Sequence, residues 1–310
     1  MTSRDSQSAA AVFMMRPARF GFNAETAASN AFQHASAESP QTAALAEFDA
    51  VACALRAAGV EVIVAEDSPQ PHKPDAIFPN NWVSFHRDGT VVLYPMCAPN
   101  RRAERREEVV EAVVRRGGFR VSRTVDLSHR EAQGQYLEGT GSLVLDRVSR
   151  VAYACLSPRT DLDALGEFAQ RLDYDLVAFD ASDEAGRPVY HTNVLMAIGA
   201  SFAVVCSEAI DDPKRRAQVL AGLAATGHEV VEITRGQMHA FAGNCLELST
   251  PRGPAVAISA TAWDALGGAQ RRALERHAMP LRVAVPTVER VGGGGVRCML
   301  AEIHLPRRAA

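Results

Sequence analysis

The sequence predicts an α/β fold: a five-fold pseudosymmetric α/β propeller, a closed ring of ββαβ modules with short sheets inside and helices outside. Three observations predict it. One pattern keeps returning along the chain: strand, tight turn, strand, bend, amphipathic helix, strand. Its fifth copy is split between the chain ends, so the last strand can complete the first module and leave no open edge. The five strands that begin the modules also open on polar or nucleophilic residues at equivalent places.

Each module can be read in order. WVSFHRDGTVVLYPMCAPNRRAERREEVVEAVVRRGGFRVSRTVD is the first complete copy, with Asp88-Gly89 as the hairpin turn between its two leading strands. SLVLDRVSRVAYACLSPRTDLDALGEFAQRLDYDLVAFDA is the second. VLMAIGASFAVVCSEAIDDPKRRAQVLAGLAATGHEVVEIT is the third, and CLELSTPRGPAVAISATAWDALGGAQRRALERHAMPLRVAVP the fourth. For the split copy, CMLAEIHLP supplies the first strand; VFMMRP, the helix TAALAEFDAVACALRAAG and the strand VEVIVAE supply the rest. These boundaries make residues 11–310 a single catalytic domain and residues 1–10 a disordered N-terminal extension.

Composition narrows the function classes. With 47% hydrophobic and 22% charged residues among 310, the chain is ordinary globular protein. A formal net charge of −3 offers no basic field for nucleic acid or an anionic membrane. The densest basic run, RRAERREEVVEAVVRR, alternates with glutamates and reads as a solvated helix face. No stretch approaches the ~18 apolar residues of a membrane helix, and the N-terminus lacks the apolar core of a secretion signal. Six cysteines, at 53, 97, 155, 206, 245 and 298, show no metal-type spacing. Five lie in apolar runs and read as buried, inert thiols, which places the protein in a reducing, cytoplasmic compartment. Cys298 differs, because it follows four glycines, Gly292 to Gly295. Such a run suits either a flexible linker or a backbone that must approach a ligand closely.

The starts of the five inner strands decide between these. They read NNWVSF, LEGTGSLVL, YHTNVLMAI, AGNCLEL and GGVRCMLAEI, and a ring would bring Asn80 and Asn81, Glu138, His191 with Asn193, Asn244, and Cys298 towards one axis. Singly, each has an ordinary explanation as a turn or packing residue. Together a cysteine, a histidine and a carboxylate form a nucleophile, its acid/base partner and an orienting group.

Six motifs in order, FMMRPARFGFN, PDAIFPNNWVSFH, LEGTGSLVLDR, ACLSPRTD, YHTNVLMAIG and GGGGVRCM, carry a resemblance across nearly the whole chain. The chain resembles the guanidine-modifying (amidinotransferase and arginine deiminase-like) superfamily with the pentein fold, and within it the branch of citrulline-utilisation hydrolases. The resemblance implies Cys298 as nucleophile, His191 as general acid/base and Glu138 as the carboxylate that orients it. It implies Arg159 as a contact for the substrate carboxylate; a surface salt bridge to Asp161 or Asp163 is the alternative. Arg101 is a second, weaker contact of that kind, Asp75 a holder of the α-amine, and Asn80 a further neighbour of the substrate. Phe20 or Phe22 would cover the mouth as a lid hinged at Gly21. No metal or organic cofactor is implied, and no phosphate-loop motif is present.

One departure bears on the substrate. Deiminases of that superfamily carry aspartates where this chain has Asn81 and Asn193. Carboxylates suit a cationic guanidinium, whereas carboxamides suit a neutral group that both donates and accepts. The expected reaction is therefore hydrolysis of the ureido group of L-citrulline to L-ornithine, carbon dioxide and ammonia through a Cys298 thioester. Arginine dihydrolase and arginine deiminase activities are the alternatives within the class. A non-catalytic binding module on the same fold, and a zinc hydrolase built on His191, Cys298 and His304, are the alternatives outside it. The expected partner is a small amino-acid substrate, with no nucleic acid or membrane; a homo-oligomer is left open.

Overall fold

A computed structural model describes residues 6–308. It contains five three-stranded sheets, and all repeat one topology. The split module joins β1 (Ala11–Arg16) and β2 (Glu61–Glu66), which run parallel. The first complete module holds β3 (Val83–Phe85), β4 (Thr90–Leu93) and β5 (Arg123–Asp126). The next holds β6 (Val144–Asp146), β7 (Val151–Leu156) and β8 (Asp175–Asp180). It is followed by β9 (Met196–Ile198), β10 (Phe202–Val205) and β11 (Glu229–Glu232). The fourth has β12 (Leu246–Thr250), β13 (Gly253–Ser259) and β14 (Met279–Val283). Finally β15 (Ala301–Glu302) returns to pair antiparallel with β1, Val12 opposite Glu302. In every sheet an antiparallel pair is extended by one parallel strand.

Local chemistry explains the repeat. The antiparallel pairs need tight turns, and Gly89 and Gly253 supply them with φ of 86° and 109°. The parallel step needs a long crossover, supplied by the helices Gln41–Ala58, Glu107–Arg116, Leu162–Leu172, Pro213–Ala225 and Gly268–His277. Asp161 and Asp212 cap two of these helices by accepting first-turn backbone N–H bonds. The leading strands β3, β6, β9 and β15 are buried along their length. Phe13 packs edge-on against Trp82 and Phe85, so the split module locks onto the first complete one.

Isolated bridges, Phe85 to Ile303 and Ala9 to Leu248, link neighbouring sheets that otherwise stay three-stranded. Two expectations need correction. Residues 6–10 of the supposed disordered extension are part of the fold. The buried Gln7 donates its amide N–H groups to the Leu145 and Ile198 carbonyls and accepts from the Arg147 N–H. The other half of that stretch, residues 1–5, lies outside the described residues. Among the cysteines, Cys53 is exposed and Cys97 half-buried; only Cys155, Cys206 and Cys245 of the five are buried as expected. No helix among the described residues is long and apolar enough to cross a membrane.

Candidate active site

The same small structural device precedes each inner strand. A single tight turn sits just ahead of it: Pro79–Asn81, Gly139–Ser142, Thr192–Leu195, the turn at 241–243, and Val296–Met299. Each turn aims one polar residue inward before the chain becomes extended. That is how residues up to about 218 positions apart, Cys298 and Asn80 (298 − 80), enter one neighbourhood.

Glu138 is completely buried, immediately before its turn. Its Oε2 accepts the Nε2–H of His191 at 2.9 Å and faces Arg159 at 3.5 Å and Arg101 at 3.7 Å. Its Oε1 accepts the Cys97 backbone N–H at 3.1 Å. Burial pushes the Glu138 carboxyl up, yet Arg159, His191 and Arg101 together hold it well below the usual carboxylate range. Facing an ionised carboxylate, His191 must carry its proton on Nε2, which leaves the Nδ1 lone pair available. Burial lowers the His191 pKa, and the two arginines add to this against the pull of Glu138, so the resting imidazole is neutral at pH 7.

Cys298 is buried at the start of the last inner strand. Its sulfur accepts from Asn244 Nδ2 at 3.2 Å and Asn193 Nδ2 at 3.5 Å. Burial raises the thiol pKa, while Asn244, Arg297 and Asn193 pull it back. The site therefore rests as a thiol with a neutral imidazole. That pair can pass one proton from sulfur to nitrogen when an electrophile arrives, with Glu138 stabilising the resulting imidazolium.

The preceding glycines are an ordered wall. Gly292, Gly293 and Gly294 line the same cavity as Cys298 and His191. A Cβ on Gly292 would stand 2.7 Å from Phe78, and Gly293 sits at φ 65° with its carbonyl bonded by Asn30 and Tyr190. The backbone approaches too closely for any larger residue. Gly141, in LEGTG, plays the same part opposite: a Cβ there would lie 2.5 Å from Asn81 Nδ2 and 2.7 Å from the His191 ring.

The cavity is also lined by Thr26, Asn30, Asp75, Phe78, Asn81, Arg101, Arg159 and Tyr190. Asn81, Asp75, Arg101, Arg159, His191 and Cys298 thus meet on one cavity. Asn193 touches the sulfur and Glu138 stands behind the imidazole. Asn80 is buried beside Asn81, to which its Oδ1 is bonded at 3.3 Å, but it does not line the cavity.

Several readings of these residues change. Arg101 is not on a solvated face. It is buried, forked onto Glu104 by two bonds of 2.9 Å, and donates to Asn81 Oδ1 at 2.9 Å. Glu104 carries no sequence signal of its own; burial pushes its carboxyl up to about 7 against the pull of Arg101. Arg159 makes no surface salt bridge to Asp161 or Asp163. It donates to Ser29 Oγ at 2.9 Å and the Thr26 carbonyl at 2.6 Å, lies over the Tyr190 ring, and pairs with Glu138. Asp75 holds Asn23 and Thr26 on one oxygen and leaves Oδ1 buried without a partner among the described residues. The segment over the site is 23–33 rather than the expected phenylalanines: Phe20 is buried and Phe22 exposed, while Thr26 and Asn30 line the cavity. His304 bonds Glu302 instead of facing Cys298, and no metal-binding cluster occurs among the described residues.

The five repeated three-stranded sheets are the fold of the pentein superfamily, and the family match places the chain among its guanidino-group-modifying hydrolases, enzymes that break C–N bonds. The chain belongs to the family described as N,N dimethylarginine dimethylhydrolase, eukaryotic, whose family model matches residues 16–305. No curated protein sequence matches the chain. Among solved structures, it is similar to the substrate-bound N-terminal domain of ArgZ, an arginine dihydrolase from the ornithine–ammonia cycle in cyanobacteria. That likeness has a TM-score of 0.74 and 16% identity and covers 95% of this chain and 99% of that one. AgrE with L-arginine gives a TM-score of 0.74 at 18% identity, covering 96% of this chain and 40% of that one. Dimethylarginine dimethylaminohydrolase, as an adduct with S-methyl-L-thiocitrulline, gives 0.66 at 17% identity, covering 94% and 99%. At such identities these structures establish the fold; substrate choice belongs to the residues themselves.

Proposed function

We propose that the protein hydrolyses the ureido group of L-citrulline, with Cys298 as nucleophile, His191 as acid/base and Glu138 as its orienting carboxylate. The observation that carries this reading is the Asn81–Arg101 contact. Arg101 can only donate, so the oxygen of Asn81 must face it; one N–H of the Asn81 NH2 goes to Asn80 Oδ1 at 3.3 Å, and the other is left for the cavity. A guanidinium brings only donors to that NH2. A ureido oxygen is the acceptor it lacks, and a site built for one pattern rejects the other by leaving groups unpaired.

In the reaction, the sulfur adds to the ureido carbon as its proton passes to His191. The bond to the side-chain nitrogen breaks, that nitrogen takes the proton back from His191, and ornithine departs, leaving a carbamoyl thioester on Cys298. Water deprotonated by His191 releases carbamate, which decomposes to carbon dioxide and ammonia. Asp75, whose Oδ1 is buried without a partner among the described residues, would take the substrate ammonium.

A second reading is hydrolysis of arginine or a methylated arginine. It is favoured by the family match. Asn81→Asp separates the two. It keeps the bond to Arg101 and removes the NH2, so citrulline turnover should fall ~10²-fold or more while arginine turnover does not. Steady-state ornithine and ammonia release measures it. Unchanged citrulline turnover would sink the neutral-site reading.

A further inference from the structure

The fourth module contributes nothing to the cysteine, histidine and glutamate, yet its turn ends against the reacting atom. Asn244 is fully buried. Its Nδ2 is 3.0 Å from the main-chain oxygen of Asn193 and 3.2 Å from Cys298 Sγ. A carbonyl can only accept, so this nitrogen is fixed as the donor, and its second N–H points at sulfur. The Oδ1 of Asn244 is buried without a partner among the described residues. A residue serving only to cap a strand would not require that orphan acceptor, which costs stability.

The surroundings are built for this contact. A Cβ on Gly295 would lie 2.6 Å from Asn244 Oδ1, so the last of the four glycines makes room for the carboxamide. A Cβ on Gly243 would lie 2.5 Å from the Val194 carbonyl, so the turn carrying Asn244 is pressed onto the turn carrying Asn193.

We propose that Asn244 is a catalytic residue of this chain: an anchored donor that stabilises negative charge on Cys298 Sγ during attack, with Gly295 providing its space. The proposal rests on reading Cys298 as the nucleophile and deepens that reading. Asn193 is the longer, weaker donor of the pair. A hydrogen bond to a charged sulfur stabilises the thiolate far more than the thiol, and a fixed dipole does so without reorganising during the reaction. The charged or titratable groups facing the sulfur are Arg297 on its own turn, His191 and Tyr190 from the third module, and Asp75, Arg101 and Arg159 across the cavity. None of these is altered by changing Asn244.

The test reads the sulfur directly. The rate of Cys298 alkylation by iodoacetamide is followed against pH, with peptide mass mapping to separate it from the exposed Cys53. Asn244→Ala should move the midpoint upward by about one pH unit or more, and should lower kcat/KM ~10–100-fold on whichever substrate is used. Asn244→Asp, nearly isosteric but without the donor, should shift the midpoint at least as far. Gly295→Ala, which displaces the carboxamide, should shift it the same way. Thermal melts show which variants remain folded. Unmoved midpoints in the folded variants, or variants that lose only folding, make Asn244 a structural cap and overturn the proposal. Alkylation needs no substrate, so a shifted midpoint in a protein inactive on citrulline would refute the substrate reading and leave this one standing.

Discussion

Cys298→Ala abolishes turnover, with kcat falling by ~10⁴-fold or more, while the protein stays folded. The magnitude follows from the role: without the sulfur no covalent intermediate forms, and nucleophile deletions in covalent hydrolases cost factors of this order or larger. The fold survives because the side chain is small. Removing one buried sulfur leaves a methyl-sized gap, worth about 1 kcal/mol. Its partners Asn244 and Asn193 lose one acceptor each, and Asn244 keeps its bond to the Asn193 main-chain carbonyl. Circular dichroism with a thermal melt, beside an ornithine assay, checks both halves. A variant that unfolds would make Cys298 structural, and one that still turns over would remove it from the chemistry.

Glu138→Gln is expected to lower kcat by ~10³–10⁴-fold and also to destabilise the fold. A carboxamide opposite His191 can offer its NH2 to Nε2, which drives the proton onto Nδ1 and removes the base from the cavity side. The stability loss comes from Arg159, which is buried and has Glu138 as its only carboxylate partner among the described residues. Leaving such a charge unpaired costs about 3–5 kcal/mol. The pH dependence has a definite sign. The folded-state pKa of Glu138 is depressed, so its contribution is present above the unfolded value near ~4.3 and is lost as pH falls towards the folded one. Denaturant titrations from pH 7 to pH 3 should therefore show a steeper acid loss in the wild type than in the variant. Identical slopes would mean that Glu138 is not held in its ionised form by Arg159, His191 and Arg101.

The features that the sequence revealed share a physical basis. Strand alternation around Asp88-Gly89 and the apolar face of the helix Gln41–Ala58 are local signals, and both elements lie where the periodicity puts them. Module starts were legible because the repeat aligns residues far apart in the chain. Arg101 and Glu104 were not legible for the converse reason. Their run, RRAERREE, has the charge alternation of an exposed helix, but Pro99 opens a tight 3-10 turn over Pro99–Glu104 that rolls both side chains inward. Nothing local distinguishes Arg101 from Arg102; only the packing of that turn over the axis does. The apolar run around Cys53 does not predict its exposure, because Cys53 lies off the buried face that Phe48, Val51, Ala52 and Leu55 define on its helix. Thr26 and Asn30 did leave a signal. The long connection from Pro17 to Pro40 holds only one short helical turn, and long loops in compact domains are commonly functional.

If Asn81 and Asn193 suit the cavity to a neutral ureido group, L-citrulline is the substrate turned over. Purified protein given L-citrulline, L-arginine and an Nω-methylated arginine in parallel tests it most directly, with ammonia, methylamines, ornithine and citrulline resolved as products. Ornithine and ammonia are expected from citrulline, with arginine and its methylated form far slower. Citrulline released from arginine or methylarginine faster than ornithine is released from citrulline would contradict it.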